Sequence, residues 1–158
     1  MKNFRLLLVL FLAFSIPGCS VLNALDVIQA LYPKASLKQL QVIAEADANQ
    51  TTATALDLVF VYDKTAIPLL PKSGPEWFSK KKSIVASQPG NFDVVSLEVP
   101  PGMIIDAPLP KRSNRSVGAF IFANYLSRDG QFPVNLTTYT SAEIHLKAMA
   151  IDYKAATP

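Results

Sequence analysis

Cysteine and histidine each occur once in this 158-residue chain, as Cys19 and His145, and tryptophan once, as Trp77. A lone thiol closes no disulfide within the chain, and with one histidine a zinc site would need an unusual ligand set. The six glycines are scattered singly, so no glycine-rich loop can cradle a phosphate. Serine nucleophiles need an orienting base, and neither a G-x-S-x-G nor an S-x-x-K pattern is present. Carboxylates at Asp47, Asp57, Asp63, Asp93, Glu98 and Asp106 are spread out, and no pair declares itself as an acid and base. Long apolar runs are missing as well. The longest near the start, Leu6 to Phe14, is far short of the roughly 20 residues that cross a bilayer as a helix.

What the chain does have begins with that run. Lys2 and Arg5 precede it and small residues follow, which is the layout of a secretory signal. The signal ends in Ile16-Pro17-Gly18-Cys19, which resembles the lipobox of bacterial lipoproteins. That resemblance implies cleavage before Cys19 and acylation of its thiol and new amino group. Two or more acyl chains hold a protein firmly, at about 0.8 kcal/mol per buried methylene. Ser20, in place of Asp, implies sorting to the periplasmic face of the outer membrane. Cys19 is thereby committed to lipid.

Residues 1–18 carry two of the 15 basic side chains and none of the 12 acidic ones, so the formal charge falls from +3 to +1 without them. Nothing in that balance calls for nucleic acid. Residues 19–36 are expected to form a tether after the anchor. Val21, Leu25, Ile28 and Tyr32 have helical spacing up to Pro33, and a partly ordered linker accounts for the segment as well.

Residues 37–158 suit one domain with one core. From Leu37 the apolar period becomes two. Leu40, Val42, Ala44 and Ala46 alternate with Gln39, Gln41, Ile43 and Glu45. Leu56, Leu58, Phe60 and Tyr62 share one face, and Asp57, Val59 and Val61 the other. Further strands are expected at 92–99, in "GMIIDA", "SVGAFIFANYL" and "FPVNLTTYT", and as one strand in "AEIHLKAMAIDYK", with a turn at Arg128-Asp129-Gly130. One helix interrupts them in "SGPEWFSKKKSIVAS", with Ser73 as N-cap, Pro75 in the first turn and Glu76 at capping-box spacing. The expected fold is an all-β sandwich with one short added helix. Its expected core holds Leu58, Phe60, Phe120, Phe122, Leu146 and Ala148, with Trp77 pinning the helix. His145 is expected on the solvent side, and the run Lys80 to Lys82 on a solvated helix face.

The order of these parts carries a resemblance. A lipobox cysteine and tether precede a strand with an acidic, polar loop ("EADANQTTA"). Then come "LDLVFVYD", a Trp-Phe helix, "LEVPPGM" and "VGAFIFANY". This layout resembles the TssJ/VasD/SciN family, outer-membrane lipoproteins of type VI secretion systems. The resemblance implies a transthyretin-like sandwich, no catalysis and no cofactor. It also implies binding to the periplasmic domain of a TssM-like inner-membrane protein. Its members present the first long loop, which here places partner contact at Asp47, Ala48, Asn49, Gln50, Thr51 and Thr52. The Asn-Pro-Asp-like tip of that loop is replaced by Asp47-Ala48-Asn49, and the loop is short. On the residues alone it reads more readily as a plain hairpin connection, and the resemblance moves the balance toward binding. A second basic loop, with Lys111, Arg112 and Arg115, is the next candidate surface. The alternative function is a ligand- or peptidoglycan-binding lipoprotein of another envelope system, which would need a deep apolar pocket.

Overall fold

Strand β2, Thr54–Val61, is buried along nearly its whole length, and both of its faces have work to do. Leu56, Leu58 and Phe60 point into one apolar cluster, and Val59 and Val61 into another. The computed structural model describes residues 34–156, so Cys19, the signal and most of the tether lie outside the described residues. Strand β2 pairs antiparallel with β3, Phe92–Val99, on one side and with β5, Gly118–Ala123, on the other. The short β6, Val134–Asn135, extends β5. The order of this sheet is β3-β2-β5-β6.

The second sheet runs β4-β1-β7-β8. Its centre is β1, Gln39–Ala44, antiparallel to β4, Ile104–Asp106, and parallel to β7, Ser141–Leu146. Strand β8, Ile151–Ala156, closes the far edge as a hairpin partner of β7. Leu40, Val42, Ala44, Ala142, Ile144 and Leu146 project from this sheet against Leu56, Leu58, Phe60, Ala119 and Ile121 of the other, forming the main core. Ala35 and Leu37 are buried in the same core, and Ala35 N–H donates to the Ser116 carbonyl, so the folded body already includes the last residues of the expected tether.

Helix α1, Gly74–Ser87, covers the outer face of the first sheet. The Ser73 hydroxyl accepts from Glu76 N–H at 3.4 Å, and Pro75 occupies the first turn, where its missing N–H leaves nothing unpaired. Trp77 is fully buried and stacks on Phe122, with ring centroids 4.9 Å apart. Gly74 lies so close to β5 that a Cβ there would sit 1.8 Å from the Ala123 carbonyl oxygen. Only glycine lets the helix start at that distance.

Several expected elements differ in detail. The segment at 142–154 is two strands rather than one, because residues 147–150 form a turn closed by Lys147 N–H to the Ala150 carbonyl. Ala148 therefore sits half-buried in a turn and not in the core. Phe120 and Phe122 face the helix, while Ala119, Ile121 and Ala123 fill the space between the sheets. Residues 128–131 make a tight helical turn in place of a hairpin, with Gly130 pressed against the Tyr125 ring. Only two residues of "FPVNLTTYT" pair as a strand. The β1–β2 connection is no hairpin, since its two strands belong to different sheets.

Candidate functional site

Strands β1, β3, β5 and β7 finish, and β2, β4, β6 and β8 begin, at one end of the sandwich. The loop after β1 is the hub of this end. Glu45 N–H donates to the Leu146 carbonyl, and Gly102 N–H donates to the Glu45 carbonyl. Asn49 N–H and Gln50 N–H donate to the carbonyls of Lys147 and Ala148. The Asn49 side chain accepts from Leu126 N–H at 2.8 Å and donates to the Asn124 carbonyl at 3.4 Å. One loop is thus tied to the three that surround it.

The tie has an uncommon backbone. Asn49, Gln50 and Thr51 all have positive φ, at 46°, 55° and 62°, so the short turn Ala48–Thr51 is wound left-handed. Such a conformation costs about 1–2 kcal/mol per residue and persists only where the surroundings dictate it. Here they do. Ala48 and Asn49 are buried, at 0% and 1% exposure, and both polar ends of the Asn49 side chain are used internally. Of the six residues expected to meet a partner, Asp47, Gln50, Thr51 and Thr52 are exposed and available, while Ala48 and Asn49 hold the loop in shape.

Tyr125 braces the neighbouring loop by donating its hydroxyl to the Lys147 carbonyl at 2.7 Å. Burial pushes this phenol up to about 12, so it keeps its proton and remains a donor. Around the hub stand exposed apolar side chains. Met103, Ile104, Leu126, Phe132 and Met149 all belong to this end, against only Leu69 and Tyr153 among exposed large apolar residues elsewhere in the described chain. Isolated exposed apolar residues mean little, but a cluster around a rigid polar loop marks a surface built for contact. This rim carries no signal in the sequence, because its members come from three separate loops.

The other candidate surfaces are more committed. Lys81 reaches the buried Asp57 at 2.8 Å, and Trp77 Nε1–H donates to the same carboxylate oxygen at 2.8 Å. Lys80 pairs with Glu76, which leaves Lys82 as the exposed member of the run without an ion pair. In the basic loop, Arg112 grips Asp93 with two hydrogen bonds of 2.9 and 2.7 Å and lies 3.8 Å from the Tyr62 ring centre. The Arg112 guanidinium holds the Asp93 carboxyl below its usual range, while burial and Asp93 push the Tyr62 hydroxyl well up. Lys111 and Arg115 remain exposed.

His145 lies on the outer face of the second sheet, with Nε2 3.7 Å from Glu143. That face holds two open depressions of about 360 and 490 Å³, lined mainly by polar side chains such as Gln39, Gln41, Glu143 and Lys154. Among the described residues no three His, Cys, Asp or Glu side chains converge as metal ligands would. Neither of these depressions has the deep apolar lining of a small-molecule site.

Comparison with solved structures gives the architecture a precedent. The type VI secretion lipoprotein TssJ1 of Pseudomonas aeruginosa matches with a TM-score of 0.54 at 19% identity, over 76% of this chain and 95% of that one. The chain has the TssJ1 fold. Lip of Serratia marcescens, a membrane-bound component of the type VI secretion system, matches with a TM-score of 0.50 at 11% identity, over 73% and 95% of the two chains. No protein-family description and no curated protein matches the sequence. The likeness is therefore one of fold, with little of it visible in the sequence.

Proposed function

We propose that this chain is a non-catalytic, lipid-anchored envelope protein of a type VI secretion system. Acylated at Cys19, it sits on the periplasmic face of the outer membrane and binds the periplasmic domain of a TssM-like inner-membrane protein through its loop end. The observation that supports this most is the hub loop. It is held rigid by a buried asparagine, it displays Asp47, Gln50, Thr51 and Thr52, and a rim of exposed apolar side chains surrounds it. Rigid loops on a sandwich lose little conformational freedom on binding, which favours affinity. Apolar residues flanking polar ones match the make-up of protein interfaces. The chain also enters the folded body at the opposite end, before β1, so a loop end directed away from the anchor faces the periplasm.

Titration calorimetry with the periplasmic domain of the inner-membrane partner tests this. Asp47→Ser with Thr52→Ser, and separately Leu126→Ser with Met149→Ser, should each weaken binding at least tenfold with circular dichroism unchanged. Wild-type affinity in both pairs would move the contact elsewhere on the molecule.

A further inference from the structure

The end of the sandwich opposite the hub loop has a different surface. Lys34, Lys38, Lys111 and Arg115 are all exposed there, and among the described residues none of the four is in an ion pair. They converge from two segments that the backbone ties together. Ala35 N–H donates to the Ser116 carbonyl, which sets Lys34 beside Arg115, and Lys38 N–H donates to the Thr140 carbonyl at the start of β7. Of the acidic groups at this end, Asp93 is neutralised by Arg112, while Asp63 accepts from Thr65 and the exposed Asp106 from Gln41, both neutral partners, so four cations outnumber two carboxylates. The hub-loop end has the reverse balance, with Glu45, Asp47, Glu98 and Asp129 exposed beside Arg128 and Lys72. The exposed charges of a nearly neutral chain are thus sorted to opposite ends.

We propose that the basic end is a docking face for an anionic phospholipid surface, and that it sets the domain upright on the membrane holding its anchor. This rests on the proposed acylation at Cys19. Two observations select the occupant. The sign of the face complements anionic headgroups, and the chain coming from Cys19 enters the domain through this face, at Lys34. The 15 residues from Ser20 to Lys34 span at most about 50 Å, so the face can reach the bilayer without strain. Each lysine or arginine near an anionic surface strengthens contact by about fivefold, an effect that fades within a Debye length of about 8 Å at physiological salt. Four together are enough to hold an already anchored domain in one orientation, with the hub loop directed outward.

The full chain, made with its signal and purified from membranes in detergent, is inserted in vesicles carrying a dansyl-labelled lipid to provide the test. Trp77 is the only tryptophan, so energy transfer from it reports the height of the domain above the bilayer. Transfer should be stronger in vesicles containing phosphatidylglycerol than in pure phosphatidylcholine. It should fall to the phosphatidylcholine level in high salt and in the variant Lys34→Glu, Lys38→Glu, Lys111→Glu, Arg115→Glu. Transfer that ignores lipid charge and salt overturns the proposal. So does loss of transfer only when an acidic protein or polysaccharide competes on neutral vesicles. Vesicle flotation in high salt reports the anchor independently: a protein that stays bound there yet shows no lipid dependence refutes the docking face alone, and one that washes off refutes the acylation.

Discussion

Asn49 concentrates more of the hub loop's structure than any other side chain. It supplies an acceptor to Leu126 N–H and a donor to the Asn124 carbonyl, while its own N–H reaches Lys147. Asn49→Ala leaves buried groups without partners and should cost about 1–3 kcal/mol, measured by urea denaturation. Thr51 makes the opposite case. A β-branched residue at a φ of 62° is strained. Relief of about 1–2 kcal/mol in Thr51→Gly, offset by about 0.5–1 kcal/mol from glycine's freedom in the unfolded chain, should raise the melting temperature slightly. A clear fall would show that Thr51 is not wound left-handed. The sequence displays this loop only as a polar stretch after an alternating strand. Asparagine tolerates the left-handed region better than most residues, but "DANQTT" does not distinguish the asparagine that turns inward from side chains that stay outside.

Helix α1 and strand β2 were the most legible elements, because each announces itself through local chemistry. The helix has its cap, its proline and its aromatic pair within a few residues, and β2 is a short run rich in β-branched, aromatic and leucine side chains. Asp57 was not legible as a partner of Trp77 and Lys81, since those residues lie 20 and 24 positions away. Removing the carboxylate strands the Lys81 ammonium and the indole N–H, so Asp57→Ala should cost about 3–5 kcal/mol. The double variant Asp57→Leu, Lys81→Met should recover most of that loss, because an apolar pair of similar volume replaces the ion pair. Equal destabilisation in both would mean that the ion pair itself, and not an orphaned charge, holds the helix. The turn at 147–150 escaped detection for another reason: "KAMA" contains no glycine, proline, asparagine or aspartate, and only the pairing of β7 with β8 reveals it. On the basic loop, Arg112 lowers the Asp93 pKa. A depressed carboxylate contributes stability that is present above its unfolded value of about 4 and is lost as pH falls through that value toward the folded one. Denaturation midpoints of Arg112→Gln should therefore match wild type more closely at pH 3 than at pH 6.

Across the whole molecule, the tasks proposed for the two ends both rest on the proposed anchor at Cys19. Cys19→Ser should abolish incorporation of a palmitate analogue, because an oxygen cannot replace the sulfur in acyl transfer; equal labelling of both forms would remove the lipoprotein assignment. The β-sandwich and its helix could be read from periodicity, but the allocation of strands to sheets could not, since pairing partners are chosen by the tertiary structure. The pairing of β1 has a consequence for how the chain is made. Its two neighbours are β4, some sixty residues later, and β7, a further forty on, both long-range. A chain that emerges from its N-terminus exposes Leu40, Val42 and Ala44 first, and they can meet β4 only after residue 106 and β7 only after residue 146. High contact order of this kind makes folding slow, in the range of milliseconds to seconds, and leaves an apolar strand open to aggregation meanwhile. Almost the entire chain must therefore be free to fold before the sheet nearest its N-terminus can close.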